Sequence, residues 1–248
     1  MNSIKSNKKG LKIGLISVGA VVLALVIFCA VYFGNYYHAD MDAISKMDVG
    51  SSFDIRELES GNIAFMPESP RACIIFYPGG KVEYTSYVPL MKACAERNVG
   101  CILVKMPFNL AVFDINAAEG IKDQFPQIDR WYMAGHSLGG SMAASYLKDE
   151  HNDFEGLILL GAYSTADLSE TSLRVLSIYG SEDGVMNREK YDNCMSNLPS
   201  STEELIINGG CHAYFGVYGA QSGDGVPTLT NKEQIIITAD KICDYIGG

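Results

Sequence analysis

The pentapeptide G-H-S-L-G at residues 135–139 constrains this chain more than any other feature. The apolar run 130–134 before it is typical of a buried strand, and residues 141–148 after it have helix-forming composition. In a G-x-S-x-G turn between a strand and a helix, the serine is exposed near the positive end of the helix dipole. The flanking glycines suit a turn where a Cβ would collide with the neighbouring strand or helix. The pattern makes Ser137 a candidate nucleophile.

A nucleophilic serine needs a general base, and the chain has four histidines. His38 lies beside an N-terminal apolar segment, His136 is inside the serine motif, and His151 stands in a polar stretch after the predicted helix. His212 follows a strand-like run and two glycines, a turn that suits a mobile base. Elimination favours His212 as the general base. The alternative is that its side chain only fills a loop.

An acid must orient the base, and Asp183 is the best-placed candidate. It follows the strand-like run 173–179, at the carboxyl end where open parallel sheets place functional groups. Its neighbour Glu182 must point elsewhere, and Asp167, after the preceding strand, is the weaker alternative. The chain therefore offers a nucleophile, an acid and a base in that order.

Composition places the chain among folded domains and excludes several functions. Its 248 residues are enough for one domain of about 200 residues with a full core. Apolar residues make up 48% and charged residues 19%, which argues against disorder. The sequence has no nucleotide-binding glycine fingerprint and no zinc-like spacing of cysteine and histidine, so we expect neither a cofactor nor a metal.

The N-terminus carries the second strong pattern, an uncharged run of 22 residues at 13–34. A helix of that length covers about 33 Å, enough to cross a bilayer. Four lysines precede the run: Lys5, Lys8, Lys9 and Lys12. Because positive charge stays in the cytoplasm, we predict a cytoplasmic tail at 1–12, a transmembrane signal-anchor at 13–34, a linker at 35–50 and an extracytoplasmic domain at 51–248. A cleaved signal peptide is the rival interpretation, although no small-x-small pair marks a cut site.

The charge balance of the outer part argues against nucleic acid as a partner. Four of the 19 basic residues precede the run, so 15 basic and 29 acidic residues lie beyond them, a net charge of −14. Such a surface repels phosphate backbones. Six cysteines also lie in this part, where thiols can oxidise. Their pairing stays open, and a nucleophilic role for Cys211, beside the candidate base, is conceivable.

Alternating strand-like and helix-like segments predict a mostly parallel sheet with helices on both faces. A short antiparallel hairpin is expected at 53–66, and a loop with a helix at 107–125. Only 11 residues, 162–172, separate two consecutive predicted strands. The sequence therefore predicts a core without a lid.

Several motifs together resemble one family. They are Y-P-G-G at 77–80, M-P-F-N-L-A-V-F at 106–113, G-H-S-L-G-G at 135–140, Y-G-S-E-D-G at 179–184, G-G-C-H-A-Y-F-G at 209–216 and G-D-G at 223–225. From about residue 60 onward the chain resembles the α/β-hydrolase superfamily, and within it a compact bacterial family often called alpha/beta hydrolase fold-5. The order Ser137, Asp183, His212 is the order of that superfamily. Two departures are a Pro-Gly-Gly loop where many relatives have His-Gly, and Cys211 where a polar residue is expected.

The resemblance implies acyl transfer to water, and the short connection at 162–172, which leaves no room for a lid, predicts a small ester as substrate. Ser137 would attack the carbonyl, His212 would move the proton, and Asp183 would hold the imidazole tautomer. The oxyanion would meet the amide of Leu138 and one from Gly80 or Lys81. The expected pocket is apolar and lined by Phe108, Leu110, Phe113, Tyr163, Tyr214 and Phe215. Activity should fall with longer acyl chains and on acidification, because His212 must be neutral to act as base.

Two alternatives remain from the sequence. An acyltransferase would use the same three residues and exclude water. An inactive hydrolase scaffold could bind a partner at the membrane, although it would have no need for all three residues. The natural substrate and the oligomeric state are open.

Overall fold

The computed structural model describes residues 2–47 and 53–247, with side chains from residue 18 onward. The chain divides into two compact units, Met1–Tyr36 and Tyr37–Gly248. The first contains helix α1 (Asn2–Gly34). Within the described residues, no helix combines the length and the apolar character needed to cross a membrane. Residues 13–17 of the predicted anchor lie outside the described side chains.

The second unit is built on a sheet of eight strands in the described part of the chain. The strands are β1 (Asp54–Glu57), β2 (Ile63–Met66), β3 (Cys73–Tyr77), β4 (Gly100–Leu103), β5 (Trp131–His136), β6 (Gly156–Leu160), β7 (Arg174–Gly180) and β8 (Glu203–Ile207). Their order is β1-β2-β4-β3-β5-β6-β7-β8. β2 pairs antiparallel with β1 and β4, and every other neighbouring pair is parallel. The predicted hairpin and parallel sheet are confirmed.

Helices cover both faces of this sheet. They are α2 (Met41–Lys46), α3 (Val88–Glu96), α4 (Leu138–Glu150), α5 (Arg188–Cys194) and α6 (Asn231–Gly247). Strand β3 is buried along its whole length, and its side chains alternate between two cores. Ile74 and Phe76 share one core with residues of α3 and α6, while Ile75 shares the other with residues of α4. Because both faces are covered, the central strands are continuously apolar.

The domain begins earlier than the sequence predicted. The Tyr37 amide donates to the Lys81 carbonyl at 2.8 Å, and the Asp40 amide donates to the Val217 carbonyl at 2.9 Å. The Asp40 side chain caps α2, whose Ile44 packs on the core. Residues 37–47 of the predicted linker 35–50 therefore belong to the folded domain. Residues 48–50 of that linker and the predicted domain's first residues, 51 and 52, lie outside the described residues.

The helix expected within residues 107–125 does not form, which corrects the prediction from the sequence. That segment forms short 3-10 turns at Pro107–Asn109, Ala111–Phe113 and Lys122–Gln124. The left-handed φ of Phe108 and of Asn109 interrupts any helix at its start. Farther along, β6 and β7 are joined by residues 161–173 without an intervening helix or strand, as expected for a core without a lid.

Candidate active site

Ser137 occupies a sharp turn between β5 and α4. Its φ of 52° and ψ of −123° are unusual for a residue with a side chain. The Ser137 amide donates to the Leu160 carbonyl at the end of β6, at 2.9 Å. A Cβ on Gly135 would lie 2.6 Å from the carbonyl carbon of Gly139. Only glycine therefore lets the strand and the helix approach this closely, and the turn presents Ser137 at the carboxyl edge of the sheet.

Asp183 and His212 form a buried pair at the same edge. Asp183 Oδ2 and His212 Nδ1 are 2.8 Å apart, and the two side chains are 2% and 1% exposed. Asp183 Oδ1 accepts hydrogen bonds from the amides of Val185 and Met186, at 3.0 and 2.8 Å. An Nδ1–H that donates to a carboxylate leaves Nε2 as the basic nitrogen. Among the described residues, Nε2 of His212 has no hydrogen-bond partner, so it is available to accept a proton.

Gly161 makes room for this pair, and the sequence analysis missed it. Its φ is +52°, and a Cβ there would lie 2.9 Å from His212 Nδ1 and 3.1 Å from Asp183 Oδ2. The Gly161 amide donates to the Ile178 carbonyl at 2.7 Å, which ties the end of β6 to β7. The available signal was a glycine directly after a strand-like run, between the serine motif and the acid.

The two backbone amides expected to receive an oxyanion come from the start of α4 and from the loop after β3. Leu138 begins α4, where the first N–H groups have no partner within the helix. A Cβ on Gly80 would lie 2.7 Å from Leu138 Cδ2, so the loop after β3 adjoins the start of α4. The Lys81 amide, however, donates to the Asn109 carbonyl at 2.7 Å. The sequence offered the amides of Gly80 and Lys81 as loop donors. Because the Lys81 amide is already hydrogen-bonded, Gly80 is the remaining candidate.

A buried hydrogen-bonded chain links the loop after β3 to the serine motif. The Tyr87 hydroxyl accepts from the Gly79 amide at 3.1 Å and lies 2.7 Å from His136 Nδ1. The His136 and His212 rings are 4.5 Å apart between centroids. Burial, followed by the charge of His212, holds the pKa of His136 well below its ordinary value. His136 is therefore a neutral packing partner of His212 rather than a second base.

Cys211 precedes the candidate base, but its thiol is poorly suited to act as a nucleophile. Burial, together with the charge of Asp224, raises the pKa of Cys211 to about 12. The thiolate is the reactive form of cysteine, so this group is protonated at neutral pH. The Cys211 backbone is held by the Gln234 side chain, which accepts from its amide at 2.9 Å and donates to its carbonyl at 2.8 Å.

A cavity of about 260 Å³ opens beside Ser137. Its lining is mostly small or apolar: Ser137, Leu138, Ser141, Gly161, Ala162, Tyr163, Val185, Met186 and Asn187. Of the six pocket residues expected from the sequence, Tyr163 alone lines it. Within the described residues, no group of three or more His, Cys, Asp or Glu side chains could hold a metal ion.

The other five expected pocket residues do not line this cavity. Phe108 and Phe113 are 59% and 54% exposed and meet edge to face, with centroids 5.8 Å apart. Leu110 and Phe215 are buried in the fold. Tyr214 lines a separate cavity with Cys211 and Asp224. Aromatic residues at strand ends are often part of the core or the surface, and their contacts cannot be inferred from type alone.

Comparisons with known proteins agree with this architecture. No curated protein matches the chain in sequence. A predicted CIB-like hydrolase from Thermoplasma acidophilum has a TM-score of 0.56 at 16% identity, covering 79% of this chain and 100% of its own. Dienelactone hydrolase from Anabaena variabilis has a TM-score of 0.58 at 12% identity, covering 79% and 98%. A monoacylglycerol lipase from Paleococcus ferrophilus has a TM-score of 0.57 at 10% identity, covering 77% and 99%. These similarities support the fold.

The family follows from a sequence comparison. The model of the Alpha/beta hydrolase family matches residues 73–236, which run from β3 into α6 and include Ser137, Asp183 and His212. The match covers more than half of the chain. This protein therefore belongs to the alpha/beta hydrolase family.

Proposed function

We propose that this protein is a membrane-anchored serine hydrolase that cleaves small carboxylic esters through an acyl-enzyme. The observation that carries the proposal is the buried Asp183–His212 pair, 2.8 Å apart, at the sheet edge where Ser137 occupies its strained turn. A buried carboxylate that orients an imidazole, together with a partly buried serine in a sharp turn, makes up the acyl-transfer constellation.

The chemistry proceeds in two half-reactions. Ser137 Oγ attacks the ester carbonyl carbon while its proton moves to His212 Nε2. The bond to the alcohol oxygen then breaks, and Nε2 returns the proton to that leaving oxygen. Water repeats the sequence on the acyl-enzyme, which releases the acid and restores the serine. The amides of Leu138 and Gly80 would stabilise each oxyanion, and one such donor contributes about 3 kcal/mol.

The size of the cavity supports a short acyl group. Small-molecule sites usually enclose roughly 300–1,000 Å³, and the cavity beside Ser137 has about 260 Å³. Its walls include Leu138, Ala162 and Val185. Charge is consistent with a neutral ester, because the chain carries a net charge of −10, which disfavours anionic substrates.

Kinetics on a graded series of acyl esters test this function. We expect hydrolysis of short-chain esters, decreasing as the acyl chain lengthens, and no increase at a lipid interface. Ser137→Ala should lower kcat by at least about 1,000-fold with the fold intact, while Ser196→Ala, which changes an exposed serine bonded to the Asn193 carbonyl, should not. Acyl transfer to an added alcohol in preference to water would instead support a transferase, and an inactive parent would support a scaffold.

The membrane anchor is a separate part of the proposal. It is supported by the uncharged run 13–34 and the lysines before it. In α1 the large apolar side chains from Val18 to Val31 are exposed, an unfavourable arrangement in water. From the positive-inside rule we infer that the hydrolase domain lies outside the cytoplasm.

Protease added to intact cells tests this topology. We expect digestion of the domain without lysis, and recovery of the full-length chain with membranes. Protection until lysis, or a soluble secreted form lacking residues 1–34, would contradict the anchored arrangement.

A further inference from the structure

The carboxylate of Asp224 joins the two turns that carry the candidate acid and base. Its Oδ2 accepts from the Ala213 amide at 2.8 Å, and its Oδ1 accepts from the His212 amide at 3.1 Å. The same Oδ1 accepts from the Gly184 amide at 3.2 Å. One side chain therefore holds the backbone on the C-terminal side of Asp183 and the backbone of the base itself.

The loop that carries Asp224 is also tied directly to the acid turn. The Gly225 amide donates to the Glu182 carbonyl at 3.1 Å. A Cβ on Gly184 would lie 2.5 Å from the Gly223 carbonyl oxygen, so the two backbones are in close contact. The three segments thus form one hydrogen-bonded unit around the acid and the base.

The electrostatics favour an ionised carboxylate in this position. Burial raises the pKa of Asp224, but hydrogen bonds from the amides of Ala213, His212 and Gly184 outweigh it, so the pKa is lowered overall. Both oxygens act as acceptors, which an amide side chain of the same shape cannot reproduce. Hydrogen bonds to a charged acceptor are roughly twice as strong as neutral ones.

The sheet brings the two turns side by side, because β7 pairs with β8 and the Glu182 amide donates to the Gly210 carbonyl at 2.8 Å, but Asp183 and His212 lie beyond these bonds. Asp183 lies in the turn after β7, and His212 lies just before the 3-10 turn Ala213–Phe215. The 2.8 Å contact between their side chains depends on how the two turns sit relative to each other. A small displacement of either would weaken the orientation of the imidazole.

We propose that Asp224 is a positioning residue that fixes the acid turn and the base turn relative to each other, so that Asp183 can orient His212. This inference rests on the proposed function and adds a fourth residue to it. Asp224 acts through the backbone and does not touch the reacting atoms.

The test compares Asp224→Asn with a matched control, Glu233→Gln, in the full-length protein. Glu233 is an exposed carboxylate that also accepts a backbone amide, from Thr230 at 2.7 Å, at the start of α6. We expect Asp224→Asn to lower both kcat and the rate of fluorophosphonate labelling by about 10- to 100-fold, with KM within about twofold. Labelling should still reach one probe per chain, because the site is displaced rather than unfolded.

A spectroscopic readout separates this inference from the esterase proposal. The Nδ1–H proton between His212 and Asp183 should give a far-downfield NMR resonance, assigned by its loss in His212→Gln. It should be lost or broadened in Asp224→Asn and unchanged in Glu233→Gln. That result in a parent with no hydrolase activity would refute the proposed function and leave the positioning role intact.

Three results would overturn the positioning role. The first is an unchanged NMR resonance with unchanged rates in Asp224→Asn. The second is an equal loss of the resonance and of kcat in Glu233→Gln. The third is a loss of activity in Asp224→Asn that is fully explained by a smaller fraction of chains labelled by the probe. Hydrogen–deuterium exchange on the parent covers the case in which the variant does not fold. The amides of Gly184, His212 and Ala213 should then be protected together, and rapid exchange of all three would contradict the proposal.

Discussion

The three turns that carry Ser137, Asp183 and His212 differ from segment 107–113 in how their side chains are held. The Asp183 and His212 side chains are at most 2% exposed and are bonded to each other, and Asp183 also accepts from two backbone amides. In the segment, Phe108 and Phe113 are more than half exposed, and the segment meets the loop after β3 through the Asn109 carbonyl. We infer that the turns act through their side chains, whereas the segment acts through its backbone.

The largest effect expected from this contrast is at Gly161. Gly161→Ala would place a Cβ against the His212 and Asp183 side chains, and we expect kcat/KM to fall by about 100-fold. Gly120→Ala is the matched control, because Gly120 also has a left-handed φ, +71°, but no atom lies within 4 Å of the position that its Cβ would occupy. If kcat/KM fell equally in the two variants, the cause would be backbone strain and not a clash with the Asp183–His212 pair.

Tyr87→Phe should have the next largest effect. It removes the hydroxyl that accepts from the Gly79 amide and leaves that buried N–H without its partner. We expect kcat to fall by about 10-fold with KM nearly unchanged, because the neighbouring Gly80 amide loses its alignment. Tyr77→Phe removes a comparable hydroxyl, one that accepts from the Ala118 amide, and steady-state kinetics should show a smaller loss of kcat.

His136 should make the stability of the fold depend on pH. Its pKa is lowered by burial in the native state, whereas in the unfolded chain an imidazole has a pKa of about 6.5. The unfolded state therefore binds more protons below that pH. The free energy of unfolding should fall on acidification, by up to about 1.4 kcal/mol per pH unit from this group. Urea titrations at several pH values should show a flatter dependence in His136→Gln, and an identical slope would contradict the neutral, buried assignment.

The smallest effect is expected in segment 107–113. Phe108→Ser and Phe113→Ser should change kcat/KM for short esters by less than about threefold, because neither side chain lines the cavity beside Ser137. Met186→Ala, which widens that cavity, should shift preference toward longer acyl chains. If kcat/KM fell strongly in the phenylalanine variants and Met186→Ala did not change the acyl-chain preference, segment 107–113 would contain the acyl-binding site.

The same contrast explains what the sequence could predict. The serine turn, the parallel sheet and the first hairpin depend on local patterns of glycine and apolar residues, and these patterns predict the elements that the structure contains. Asp183 and His212 stand at the ends of strand-like runs, and the structure brings the two together. Local signals suffice where the backbone turn determines where a side chain points.

The remaining features could not be predicted because they depend on contacts between segments that are distant in the sequence. The segment 107–125 has helix-forming residues, but left-handed backbone at Phe108 and Asn109 prevents a helix there. Whether an aromatic side chain lines a cavity or lies on the surface depends on contacts with distant segments, and five of the expected pocket residues do not line the cavity beside Ser137. Gly161 and Asp224 were not identified because their roles exist only once the acid and base turns have met.

The most direct test of the central claim is fluorophosphonate labelling of the full-length protein, followed by peptide mass mapping. The account predicts one adduct per chain, on the peptide that contains Ser137, absent from Ser137→Ala and retained in Ser196→Ala. An adduct at Cys211 or any other residue, or unchanged labelling in Ser137→Ala, would contradict the assignment of Ser137 as the nucleophile.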